Sequence, residues 1–196
     1  RLMKISKRLR AIGDLIEDNS FILDVGCDHA LLDIYLALNR KNVKLIASDL
    51  DGTILRKGAQ SVEPSTIKAI EQLVNKGMYF APASGRQIVS LKRLFEPVSD
   101  KLVYIAENGA LCEYKGEVIA KTPMDRKLAL EIIEDVYEQP DCEVLISGQH
   151  TAYIKPKTEE YHYRMTKVVN YKTTLIDKFT DVDEDILKIA VCDLSG

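Results

Sequence analysis

The chain has 196 residues, 46% hydrophobic and 29% charged, the balance of an ordinary globular protein. Its formal net charge of −3 lacks the basic excess of a nucleic-acid surface. No apolar run reaches the ~18 residues needed to span a membrane, and the basic start RLMKISKRLR lacks the apolar core of a signal peptide. Cys27, Cys112, Cys142 and Cys192 show neither a CxxC pair nor metal-ligand spacing, the pattern of free thiols in a reducing cytoplasm.

Apolar residues at helical spacing over 4–17 (Ile5, Leu9, Ile12, Leu15, Ile16) predict a first helix. FILDVG then reads as a strand, HALLDIYLALNRK as a helix and VKLIASD as a second strand, a β-α-β unit with parallel strands. EPSTIKAIEQLVNKG predicts a helix with Pro64 at its start and Gly77 at its stop. MYFAPAS is a strand, RQIVSLKRLFE a helix ended by Pro97, and KLVYIAENG another strand. ALCEY and EVIAK form a hairpin turning at Lys115-Gly116. Residues 1–122 therefore read as a Rossmann-like α/β layer, mostly parallel, with helices on both faces. Beyond TPMD the order changes to helix (RKLALEIIEDVYEQ), two strands (CEVLISG, TAYIKP), a Tyr-rich helix over about 158–169 and a final strand (ILKIAVCDL). That order suggests a separate α+β module, with a boundary at residue 122.

The chemistry gathers in KLIASDLDGT. Asp49 and Asp51 stand at the carboxyl end of an apolar strand, where ligands bind in open α/β sheets. Acids there suit a hard cation such as Mg2+. One ionised carboxylate can attack phosphorus while a second moves protons. Gly52 permits a sharp turn, and Thr53 offers a hydroxyl. A plain loop start with capping aspartates is the competing explanation.

These residues resemble motif I of the haloacid dehalogenase superfamily, and KLIASDLDGTIL is similar in particular to its Cof-type sugar phosphatases with a C2 cap. FAPASGR resembles motif II and YIAENGA the following strand. The resemblance covers residues 43–196, with 43–122 as the first half of the core and 123–196 as part of the cap. It implies Asp49 as nucleophile and Asp51 as general acid/base. Thr53, Ser84, Gly85, Arg86 and Asn108 would contact the phosphoryl group, and Mg2+ would sit on the Asp49 carboxylate and the Asp51 carbonyl. The implied partner is a small phosphorylated metabolite, with neither a membrane nor an assigned oligomeric state. The family's later lysine and acidic cluster fall outside this sequence, which implies an impaired phosphatase.

Residues 1–48, with 1–42 as a separate N-terminal segment, resemble a different family, the bacterial tRNA adenine-N1 methyltransferases, through ISKRLRAIGDLI and ILDVGCDHALLDIYLAL. That resemblance implies S-adenosylmethionine on Asp24, Gly26, Asp28, His29 and Asp49, and tRNA as partner. A fusion fragment without catalysis is the further alternative. If the FILDV strand lies parallel to KLIASD, on the side away from FAPAS, its loop reaches the carboxyl end of the sheet. Asp28 is then a speculative Mg2+ ligand, weighed against a helix-capping role.

Overall fold

The computed structural model describes residues 20–25, 42–55 and 59–194. The chain divides into two compact units, one running to Lys121 and one starting at Thr122.

Short apolar runs bounded by turn residues become the strands of the first unit. β1 (Ser20–Val25), β2 (Asn42–Asp49), β3 (Tyr79–Ala83) and β4 (Val103–Ala106) lie side by side and parallel. β5 (Leu111–Tyr114) and β6 (Glu117–Lys121) complete the six-stranded sheet, antiparallel to their neighbours. β1 pairs with β2 on the side away from β3, as the predicted crossover requires, and Val25 ends level with Ser48. The β5–β6 turn puts both central residues at positive φ, Lys115 at 50° and Gly116 at 83°, the backbone of a tight two-residue hairpin.

Among the described residues, two helices connect parallel strands: one joins β2 to β3, and the other β3 to β4. α1 (Pro64–Asn75) has proline in its first turn and buries Ile70. It closes with Gly77 at φ 80°, a conformation open to glycine at no steric cost. α2 (Ile88–Leu94) ends three residues before Pro97, so the proline does not stop it as the sequence suggested. Pro97 instead opens a 3-10 segment, Glu96–Lys101. Its fixed φ suits a first helical turn, where no backbone N–H is needed. The helices expected at 4–17 and 29–41 lie outside the described residues.

Period-two alternation divides the sheet's side chains between its faces. Leu45, Ala47, Ala81, Val103 and Cys112 form one buried cluster, edged by Tyr79 and Tyr114 in edge-to-face contact at 5.7 Å. Phe80, at the alternate position of β3, meets Phe95 just beyond α2 at 6.3 Å. Full burial of side chains such as Leu45 and Phe95 contributes about 1.5–3 kcal/mol each. With the strand ends thus held, parallel β2, β3 and β4 present their carboxyl ends on one edge.

The second unit is a four-stranded sheet in the order Lys188–Asp193, Cys142–Ser147, Ala152–Ile154, Thr173–Leu175. Its elements in chain order are α3 (Arg126–Tyr137), β7 (Cys142–Ser147), β8 (Ala152–Ile154), α4 (Glu159–Tyr163), β9 (Thr173–Leu175) and β10 (Lys188–Asp193). The helix expected over about 158–169 is α4 continued by one turn of π-helix, Arg164–Val168, where the Val169 N–H donates to the Arg164 carbonyl at 2.8 Å. β9, parallel to β8, was not expected. On one face of the sheet Ala129, Ile133, Val144, Ile146 and Phe179 pack together, and Leu145, Ile154, Tyr161 and Met165 form a second cluster. Tyr153 and Tyr161 are therefore core residues, whereas Tyr163 and His150 are exposed.

Candidate active site

The site is built where three strands of the first unit end. At the end of β2, Leu50 is fully buried, so alternation turns Asp49 and Asp51, on either side of it, outward. Leu55 is also buried, and the two leucines pin the ends of a tight loop. The Leu55 N–H donates to the Leu50 carbonyl and the Gly52 N–H to the Leu55 carbonyl, both at 2.8 Å. Gly52 takes φ 95°, which a side chain would strain. The loop folds the Thr53 hydroxyl back onto Asp49 Oδ2, at 3.4 Å.

The end of β3 supplies the second part. Ser84 Oγ donates to Asp51 Oδ2 at 3.0 Å and accepts from the Arg86 N–H at 3.2 Å. The Arg86 guanidinium grips the same carboxylate: Nη2 lies 2.7 Å from Oδ1, and Nε lies 3.2 Å from each oxygen. The contact is charge-assisted and two-pronged, which fixes its geometry, while its exposure to solvent limits its strength. Arg86, first through its hydrogen bonds, holds the Asp51 carboxyl below the usual carboxylate range; partial burial opposes the shift and Ser84 reinforces it. Asp51 is therefore an ionised acceptor in this arrangement.

A 3-10 turn after β4, Glu107–Gly109, supplies the third part. Glu107, Asn108 and Gly109 all take positive φ, at 51°, 55° and 81°. Such a run of left-handed residues is costly for non-glycine side chains and persists only where the surroundings impose it. Here the Glu107 N–H donates to the Arg86 carbonyl at 3.1 Å and the Asn108 N–H to the Ser84 carbonyl at 3.2 Å. The turn thereby fixes the backbone that carries Ser84 and Arg86. A Cβ at Gly85 would lie 2.5 Å from Asn108 Oδ1, so the Asn108 amide would have to shift to admit one.

The structure thus brings together Asp49, Asp51, Thr53, Ser84, Gly85, Arg86 and Asn108. Asp24 lies on β1, its backbone opposite Ala47. Gly26, Asp28 and His29 lie outside the described residues. Sequence reasoning missed the Arg86–Asp51 ion pair and the placing role of Glu107; the Asn-Gly pair after Glu107 was the available signal for a left-handed turn. The Asp49 carboxylate and Asp51 carbonyl are oxygen donors, which fits a hard cation that keeps several waters. Among the described residues no cluster of three or more His, Cys, Asp or Glu could hold a metal ion. Nor is any described helix long and apolar enough to cross a membrane.

An aspartate pair after a parallel strand thus faces a serine and an arginine from the next strand end, a set of charged and polar groups at the carboxyl edge of an α/β sheet. Residues 46–195 match the family model of haloacid dehalogenase-like hydrolases, and the chain belongs to that family. An Escherichia coli relative, 5-amino-6-(5-phospho-D-ribitylamino)uracil phosphatase YbjI, is 22% identical over 150 residues, 76% of this chain and 55% of the relative. A solved structure from Eubacterium rectale superposes with a TM-score of 0.67 at 28% identity, covering 76% of this chain and 57% of the other. A separate match, 37% identical over 68 residues, links 34% of this chain to 28% of the Bacillus subtilis tRNA (adenine(22)-N(1))-methyltransferase. The chain spans about half the length of the curated phosphatase it matches over most of its residues.

Proposed function

We propose that the protein is a Mg2+-dependent phosphatase acting on a small phosphorylated metabolite, such as a sugar phosphate, through an aspartyl-phosphate. The observation that carries this reading is the convergence of Ser84 and Arg86 on Asp51, 2.7–3.2 Å apart, beside Asp49 at the carboxyl edge of the sheet. Family membership and the phosphatase name of the Escherichia coli relative support it.

In this mechanism an Asp49 oxygen forms a bond to phosphorus while the bond from phosphorus to the ester oxygen breaks. Asp51, which takes up a proton from solvent once Ser84 and Arg86 have turned to the phosphoryl oxygens, gives that proton to the leaving oxygen. A water then attacks phosphorus, Asp51 takes one of its protons, and Asp49 departs as the carboxylate. Ser84, Arg86 and the Thr53 hydroxyl face the phosphoryl oxygens, with Asn108 and Gly85 shaping the loop. Mg2+, held by the Asp49 carboxylate and the Asp51 carbonyl, would neutralise phosphoryl charge.

The test is release of inorganic phosphate from a panel of sugar phosphates and nucleotides, with and without Mg2+, by the wild type and Asp49→Asn. Metal-dependent turnover lost in the variant is expected. Equal turnover by both proteins would remove the reading. The methyltransferase match favours a second reading, in which the N-terminal segment and Asp49 bind S-adenosylmethionine and tRNA is the target. Calorimetric titration with S-adenosylmethionine tests it, and an absence of heat rejects it.

A further inference from the structure

Resting on the phosphoryl-binding reading of Ser84 and Arg86, we infer that Asp51 and the phosphoryl group compete for the same two donors, so that phosphoryl binding and the release of Asp51 are one coupled event. A serine hydroxyl has a single proton and donates to one anion at a time. In this structure Ser84 Oγ gives that proton to Asp51 Oδ2, at 3.0 Å. The face of Arg86 formed by Nε and Nη2 is the fork that binds carboxylate and phosphate alike, and it lies on Asp51. Neither donor can serve a phosphoryl oxygen in the same way without leaving the aspartate.

The exchange is confined to side chains. The carbonyls of Ser84 and Arg86 are tied to Asn108 and Glu107, and Gly85 is packed against Asn108. The ion pair is also weak enough to exchange, because the Arg86 and Asp51 side chains are 37% and 50% exposed and solvent screens them. A doubly charged phosphoryl group is the stronger partner for the guanidinium. Seating a phosphoryl group thus shifts Asp51 toward its freed state, which favours its carboxyl at the ester oxygen in the loaded site. Arg86 is thus a positioning residue for Asp51 as well as an anchor for the substrate.

A double-mutant cycle on inorganic phosphate binding tests this. Phosphate is titrated calorimetrically, at fixed ionic strength with Mg2+, onto the full chain as wild type, Asp51→Asn, Arg86→Ala and the double variant. Removing the internal competitor is expected to tighten phosphate binding about fivefold in Asp51→Asn, the cost of a site partly occupied by its own carboxylate. In the Arg86→Ala background the gain is expected to shrink to about twofold or less. No gain in Asp51→Asn would overturn the inference. So would an equal gain in both backgrounds, which would mean plain charge repulsion, and so would the absence of phosphate binding by wild type and Asp51→Asn alike. If Arg86→Ala fails to fold, Arg86→Gln closes the same cycle. The cycle reads binding alone: full coupling without Asp49-dependent turnover would retire the hydrolase reading and leave the competition standing.

Discussion

Both units set a carboxylate against a cluster of donors, and they do so for opposite ends. In the first, Asp51 is half exposed and its partners are the side chains of Ser84 and Arg86, 33 and 35 residues away. In the second, Glu143 is fully buried, and its partners belong to one short segment: the Lys157 and Thr158 N–H groups at 3.0–3.1 Å and the Thr158 hydroxyl at 3.3 Å. Backbone amides cannot leave without moving the chain, whereas a guanidinium or a hydroxyl can rotate away. A carboxylate held by amides is committed to architecture, and one held by side chains stays available for exchange. Glu143 fixes the loop that enters α4, whose first turn is capped by the Thr158 hydroxyl at 3.2 Å from the Tyr161 N–H.

The sharpest way to break this contrast is to remove one carboxylate from each unit. Asp49→Asn is expected to lower turnover by on the order of 10^4-fold, as loss of a nucleophile does, while leaving denaturant unfolding unchanged. A residual rate within tenfold of wild type would remove Asp49 from the chemistry. Glu143→Ala is expected to do the reverse, costing about 3 kcal/mol of stability because buried amides are left without an acceptor. Glu143→Gln, which keeps one acceptor oxygen, should cost about 1 kcal/mol. Urea unfolding measures both, and an alanine variant as stable as wild type would show that Glu143 is not structural.

The same contrast explains what the sequence let one read. The parallel strands, α1, the β5–β6 hairpin and α3 were legible because each is an apolar run punctuated by glycine, proline or a polar turn. β9 was not, since its three residues, Thr173, Thr174 and Leu175, are two polar side chains and an exposed leucine with no periodic signal. The π-turn at Arg164–Val168 was hidden because its residues continue an ordinary helical pattern. At the site, the motif residues stood out by their spacing. Their pairing did not, because the Arg86–Asp51 contact joins loops after different strands and follows from sheet order rather than from local sequence.

A smaller perturbation asks how tightly the strained turn fixes the exchangeable donors. Gly85→Ala would drive a methyl group to 2.5 Å from Asn108 Oδ1, and the amide must give way. Asn108 ties the Ser84–Arg86 loop through its backbone N–H, so displacing it should lower kcat/KM on the best panel substrate about tenfold, since small misplacements of binding groups are costly. Adding Asn108→Gly, which removes the obstructing amide and tolerates φ 55°, should restore most of the loss. A Gly85→Ala defect that Asn108→Gly does not relieve would mean that the clash lies elsewhere.

The mildest test concerns the hairpin that closes the first unit's sheet. Lys115 holds φ 50° ahead of Gly116 at 83°, a pair for which Asn-Gly is the favoured sequence. Lysine tolerates the left-handed region poorly, whereas asparagine can satisfy itself there by a local hydrogen bond. Lys115→Asn is therefore expected to stabilise the chain by about 0.5 kcal/mol, less any small loss from the Lys115 ammonium 5.2 Å above the Tyr114 ring. Because β6 is an edge strand remote in sequence from Asp49 and Arg86, turnover and phosphate affinity should not change. In urea unfolding the gain should add to the loss caused by Glu143→Ala, since the two residues belong to different compact units and share no partner.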